Sequence, residues 1–368
     1  MKPVEAVVVS HTHWDREWYL PFQQFRARLV ALVDYLLDLL ERDESFRCFT
    51  LDGQAVVLED YLEVRPENED RLRRLIQGRR LLVGPWYVLP DEFLSSEEAM
   101  VRNLLLGARV ARRFGAVMRV GYVPDPFGHI RQLPQILQGF GIASAIFSRG
   151  MGDEGESLGA EFMWRSPDGS EVLALWLPAH YGSFTPVGSF NPWASDARFA
   201  AGDRESMPLD EAVRFTRDLA RFLAARSRTG VVLLDTGSDH LAPRADLPEI
   251  ISELQAALNE AALGEAALGE AARARCSGQE RSDGVRDEVR ADEAGAVPRD
   301  GKVLAIRLAQ GSFEDYVEMV RARVAPGGDG DAGCESSTAI GWPECGCRRP
   351  VLPVYEGEFR GSRYQNML

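Results

Sequence analysis

Histidine is scarce in this chain, with five in 368 residues, so two of them at alternating positions near the N-terminus stand out. Cysteine is equally scarce. Its five copies are scattered as Cys48, Cys276, Cys334, Cys345 and Cys347. An odd, scattered set is no disulfide framework, and a reduced, cytoplasmic setting is expected. Cys345-Gly346-Cys347 lacks the second thiolate pair that a structural zinc site would need. Long apolar runs are missing too: none reaches the roughly 18–20 residues of a membrane helix. Met1-Lys2-Pro3-Val4-Glu5-Ala6 has no signal-peptide pattern either, and no membrane partner is expected. Positive charge is in deficit, with a formal net of −14, which argues against nucleic acid as a partner.

What is present is globular. Hydrophobic residues make up 45% of the chain, enough for a sizeable core, and the length suits one large α/β barrel or two ordinary domains. Strand-like runs occur at Ala6–Val9, Arg47–Leu51, Leu81–Gly84, Arg119–Val123, Ala143–Phe147, Val172–Leu177 and Val231–Leu234. Between them lie helical stretches at Gln24–Glu41, Ala55–Leu62, Glu69–Gln77, Ser96–Phe114, Leu133–Phe140, Leu209–Ala225 and Leu247–Leu258. This alternation predicts an α/β fold with parallel strands, a seven-stranded (β/α) barrel-like domain over residues 1–258. A low-complexity insertion is expected over 259–301: Glu260–Gly264 repeats as Glu265–Gly269, and Ser277–Asp300 is polar and charged. Order should resume over 302–368, with a short strand at Lys302–Leu308 and a helix at Ser312–Arg323.

Three strand ends carry acids. After Val7-Val8-Val9, the residues His11, His13 and Asp15 alternate, so an extended chain points all three the same way. Two imidazoles and a carboxylate suit zinc, with bonds of about 2.0–2.2 Å. Asp125 stands between Pro124 and Pro126, and the following proline keeps it extended. A carboxylate held so firmly suits a nucleophile or a metal ligand. In Leu234-Asp235-Thr236-Gly237-Ser238-Asp239-His240, Asp239 suits a general acid, with Asp235 or His240 in support. Trp86 and Tyr87 follow a fourth strand, where they would either stack on a sugar face or pack in the core. From these residues alone the chain reads as a metal-assisted hydrolase.

Together, the ordered segments His11–Tyr19, Gly84–Glu92, Arg102–Leu105, Asp125–His129 and Gly237–His240 resemble family 38 glycoside hydrolases, the retaining α-mannosidases. The look is that of the prokaryotic branch, which includes mannosylglycerate-cleaving enzymes. The resemblance implies a (β/α) barrel carrying one zinc ion and acting on a mannose-containing oligosaccharide or a small α-mannoside. By motif position it makes His13, Asp15 and Asp125 the metal ligands. Asp125 is also the catalytic nucleophile, Asp239 the acid/base, and His11 a support for His13. Trp86, Arg149 and His240 become candidate substrate contacts.

Two departures stand out. Asp235 occupies a position where relatives often show Asn. The family's further zinc-binding histidine comes from a downstream helical region, and no histidine follows His240. The chain therefore resembles an N-terminal catalytic domain that ends before that region, and its expected partners are a C-terminal half of the same enzyme or a second copy. Two weaker readings stay open: a sugar-binding domain that is inactive or partner-dependent, and a metal-dependent carbohydrate deacetylase.

Overall fold

A computed structural model describes residues 3–193, 207–277, 304–324 and 349–361. In chain order the strands are β1 (Val4–Thr12), β2 (Phe49–Leu51), β3 (Leu81–Leu82), β4 (Gly121–Val123), β5 (Ser144–Phe147), β6 (Glu161–Arg165), β7 (Glu171–Trp176), β8 (Ser189–Phe190), β9 (Val231–Thr236), β10 (Ala242–Pro243), β11 (Ile306–Gly311) and β12 (Val354–Glu356). The helices are α1 (Phe22–Arg42), α2 (Val56–Leu62), α3 (Glu69–Gln77), α4 (Glu97–Arg113), α5 (Leu133–Gly139), α6 (Glu154–Leu158), α7 (Thr185–Gly188), α8 (Leu209–Ala224), α9 (Leu247–Ser277) and α10 (Phe313–Arg323). Each of the seven strand runs read from sequence holds a strand. Ser96 caps α4 by accepting from the Ala99 N–H, and Ser312 with Asp315 forms a capping box on α10. α9 runs on past residue 258 into the Glu-Ala-Leu-Gly repeat, and the stretch from 278 to 300 lies outside the described residues, as do Cys334, Cys345 and Cys347.

The expected seven-stranded barrel is a correction: among the described residues the strands form two open five-stranded sheets and a two-stranded one, β8 with β10. In the first, β1 is flanked by β9 and β11 in parallel, and its last two residues pair with β2, which pairs with β3. In the second the order is β12-β6-β7-β5-β4. Two local features keep the ring open. The stretch Pro167-Asp168-Gly169 turns β6 back against β7 as an antiparallel hairpin, with Gly169 at φ 90. β7 then has β5 on one edge and β6 on the other, which leaves no edge for β9. At the opposite seam β3 is two residues long and Gly84-Pro85 follows, where Pro85 has no N–H to donate. A single bond from the Met118 N–H to the Val83 carbonyl, 3.0 Å, spans β3 and β4.

One buried cluster nevertheless joins the two sheets. Val7 and Val9 of β1 pack with Tyr122, Ile146, Leu175 and Leu233, and α10 adds Phe313 and Tyr316. The alternate residues Ala6 and Val8 face the other way, into the layer formed with α1, α2, α3, α8 and α9. His11 and His13 continue the Val7–Val9 row, so the strand delivers both imidazoles to the space between the sheets.

Candidate active site

Backbone register builds the centre. Beyond the end of β1, the His13 N–H donates to the Ser238 carbonyl (3.1 Å) and the His240 N–H donates to the His13 carbonyl (2.9 Å). His13 and Asp239 therefore face each other across a parallel bridge that prolongs the β1–β9 ladder. His13, Asp15 and Asp239 each place a donor atom within 4.8 Å of the other two. One imidazole and two carboxylates so placed fit a divalent cation. The cluster contains Asp239 in the place the resemblance gave to Asp125.

Asp52, which the sequence reading missed, sits behind His13, its Oδ2 3.4 Å from Nδ1. It is fully buried at the end of β2 with a positive φ of 58. Its carboxylate accepts from the Trp14 N–H (2.8 Å), the Gly53 N–H (2.7 Å) and Gln54 Nε2 (2.8 Å). Burial opposes charge on His13, but Asp52 and then Asp15 outweigh it and hold the imidazole well above its usual range. Burial likewise opposes charge on Asp52, and His13 with the local N–H donors brings its carboxyl below the ordinary value. Asp52 is thus the buried carboxylate beside His13 Nδ1. His11 is wholly buried, neither ring nitrogen is hydrogen-bonded, and its Nε2 lies 4.0 Å from Asp235. Burial lowers its proton affinity against the opposing pull of Asp235.

Asp125 comes from the loop after β4. Its Oδ1 accepts from Arg149 Nε (2.5 Å) and from the Tyr181 hydroxyl (3.1 Å). That same hydroxyl stands 3.1 Å from Asp239 Oδ1, so Tyr181 bridges the two carboxylates. Burial, then the charges of Asp125 and Asp239, keep the phenol protonated by raising its proton affinity far above normal. Tyr181 escaped the sequence reading, although it follows the β7 strand end as the other site residues follow theirs. Asp235 anchors its loop: buried, it accepts from the Gly182 N–H (2.7 Å), the Ser183 N–H (3.1 Å) and the Ser183 hydroxyl.

Two of the expected substrate contacts are buried. Trp86 lies wholly in the core under α4, with Met100 and Leu104. His240 is 1% exposed. It stacks on Phe25 at 4.3 Å, and its Nε2 lies 3.1 Å from the Asp15 carbonyl, so it holds the loop that carries Asp15. Trp18, Tyr19 and Phe127 are exposed rings, and Arg149 lies over Phe127 at 4.9 Å.

Paired carboxylates thus stand beside a candidate cation cluster at the ends of strands in an open α/β fold. The family model described as "Glycosyl hydrolases family 38 N-terminal domain" matches residues 3–267, and the chain belongs to that family. It is similar to a Halalkalibacterium halodurans protein named "Putative mannosylglycerate hydrolase", 39% identical over 261 residues, 67% of this chain and 27% of that protein. It is 32% identical to human alpha-mannosidase 2C1 over 46% of this chain and 16% of that protein. A crystal structure of an alpha-mannosidase from Enterococcus faecalis superposes with a TM-score of 0.68 at 26% identity, covering 97% of this chain and 31% of that chain. The chain thus spans less than a third of the length of each of these relatives. Among the described residues no helix is long and apolar enough to cross a membrane.

Proposed function

We propose that this chain carries the catalytic centre of a retaining α-mannosidase. The observation that carries the reading is the single Tyr181 hydroxyl shared by Asp125 and Asp239. With each carboxylate oxygen 3.1 Å from that hydroxyl, the pair stays closer than the roughly 6.5–9.5 Å of inverting glycosidases, which favours the retaining range of about 5–5.5 Å.

Tyr181 has one proton to give, so its hydroxyl serves one of the two carboxylates at a time. In this reading Asp125, facing the Arg149 guanidinium, is the nucleophile and Asp239 the acid/base. Asp125 attacks the anomeric carbon through Oδ2 as the glycosidic C–O bond breaks, and Asp239 protonates the departing oxygen. Asp239, now a carboxylate, takes a proton from water, whose oxygen replaces Asp125 at the anomeric carbon. The residues that would hold zinc or another divalent ion are His13 and Asp15, with Asp239 or Asp125 as the third. When bound, such an ion would grip adjacent sugar hydroxyls and orient the ring. Trp18 or Phe127 would offer the apolar wall.

The test is nitrophenol release from an aryl α-mannoside, with chelator and with added zinc. Chelator-sensitive turnover that vanishes in Asp125→Ala is the expected result. No turnover with any metal would sink the claim for the chain by itself. A second reading rests on the chain's span of 27% of the bacterial relative: the site binds mannose, and turnover needs a C-terminal half, here tested by adding one.

A further inference from the structure

A buried carboxylate–imidazole contact outside the cluster is unused by this mechanism. Glu92, in the loop after β3, and His129, in the loop after β4, have wholly buried side chains, with Oε1 2.7 Å from Nδ1. The other imidazole nitrogen, Nε2, lies 3.2 Å from the Arg149 carbonyl. A carbonyl only accepts, so Nε2 must carry a proton. Glu92 Oε2 accepts from the Ile130 N–H at 2.9 Å, and its neighbour Asp91 accepts from the Phe127 N–H at 3.1 Å. Two adjacent acids thus clamp both ends of the short turn that follows Asp125. The backbone of His129 is fixed as well, exchanging two 2.9 Å bonds with Phe359.

The geometry points to a positioning role: Glu92 and His129 set the Arg149 main chain, and so hold the Arg149 guanidinium on Asp125 Oδ1. The chain of contacts is continuous, from Glu92 through His129 and the Arg149 carbonyl to the guanidinium that meets the reacting carboxylate. Neither Glu92 nor His129 touches substrate. Their contribution is to fix where the negative charge of Asp125 sits before attack, where placement to a fraction of an ångström governs rate. This inference rests on Asp125 being the nucleophile.

The variants are His129→Phe, which keeps the packing on Phe147, Trp164 and Phe359, Glu92→Ala and Glu92→Gln. Glutamine can still accept from Ile130 and donate to Nδ1 while Nε2 donates to Arg149. In the full chain, His129→Phe and Glu92→Ala should lower kcat about 10–100-fold with KM little changed, and Glu92→Gln should retain most of it. Adding His129→Phe to Arg149→Met should cost nothing further, because both act through one contact. Multiplicative losses would overturn the proposal. A second readout needs no turnover: crystal structures of His129→Phe and Glu92→Ala should show Arg149 withdrawn from Asp125. Arg149 in its original place would overturn the proposal whether or not the enzyme acts on mannosides, whereas a wild-type chain without turnover sinks only the functional reading.

Discussion

Asp125 and Asp239 meet at a single proton donor, the Tyr181 hydroxyl, 3.1 Å from one oxygen of each. A phenol has one proton, so it can donate to only one of these acceptors at a time. Tyr181→Phe should therefore lower kcat by about 100-fold, the scale of one lost donor at a developing charge, with little change in KM. Initial rates across pH check it, since the acidic limb of the profile should also move.

Metal content separates the two carboxylates. Asp239 belongs to the cluster with His13 and Asp15, while Asp125 is engaged by Arg149 and Tyr181. Asp239→Asn should weaken zinc retention during dialysis by about 10-fold or more, and Asp125→Asn should leave it within a few-fold. The reverse order, measured by elemental analysis, would return the third ligand to Asp125.

The His13–Asp52 pair gives the metal-free protein a pH signature. The folded-state value of His13 lies well above 6.5, so its contribution is complete below pH 6.5 and is lost as pH rises through the folded value. Asp52 lies below 3.8, so its contribution is present above that and is lost as pH falls through its folded value. In chelator, stability should peak between these limits and decline on the alkaline side by up to about 1.4 kcal/mol per pH unit. Urea melts from pH 5 to 9 should show that slope, and His13→Asn should flatten it.

Burial of Trp86 gives a test of its role. Trp86→Ala should destabilise the fold by about 3–5 kcal/mol. Trp86→Phe, if folded, should leave KM for an aryl mannoside unchanged. A raised KM with unaltered melting would restore the sugar contact.

Local order was readable because apolar runs and caps are local. The strand over Val231–Leu234 and the cap at Ser96 needed no partner to be recognised. Pairing is not local. Nothing in Val172–Leu177 announces that one of its edges goes to Glu161–Arg165, a strand hidden because it opens on a buried Glu161 and holds a mixed Phe-Met-Trp-Arg run. β12 was too short to register. At the site, His13, Asp15, Asp125 and Asp239 stood out as acids and imidazoles at strand ends. Asp52 did not, although Leu51-Asp52-Gly53 also closes a strand, because a lone acid before glycine resembles any turn. Trp86 and His240 were placed at the correct strand ends, but burial, which decides whether a ring meets solvent, is settled by elements far away in sequence.

The pairing of Val4 with Ile306 also bears on how the molecule is born. The strand that carries His11 leaves the ribosome well before its flanking partners, β9 and β11. Until residue 311 emerges, β1 has an open edge of unpaired N–H and C=O groups, the kind that captures other chains. Contacts of such sequence separation make assembly slow. Expression at low temperature or with holding chaperones should raise the soluble yield, and a version permuted to start just before β11 should fold faster.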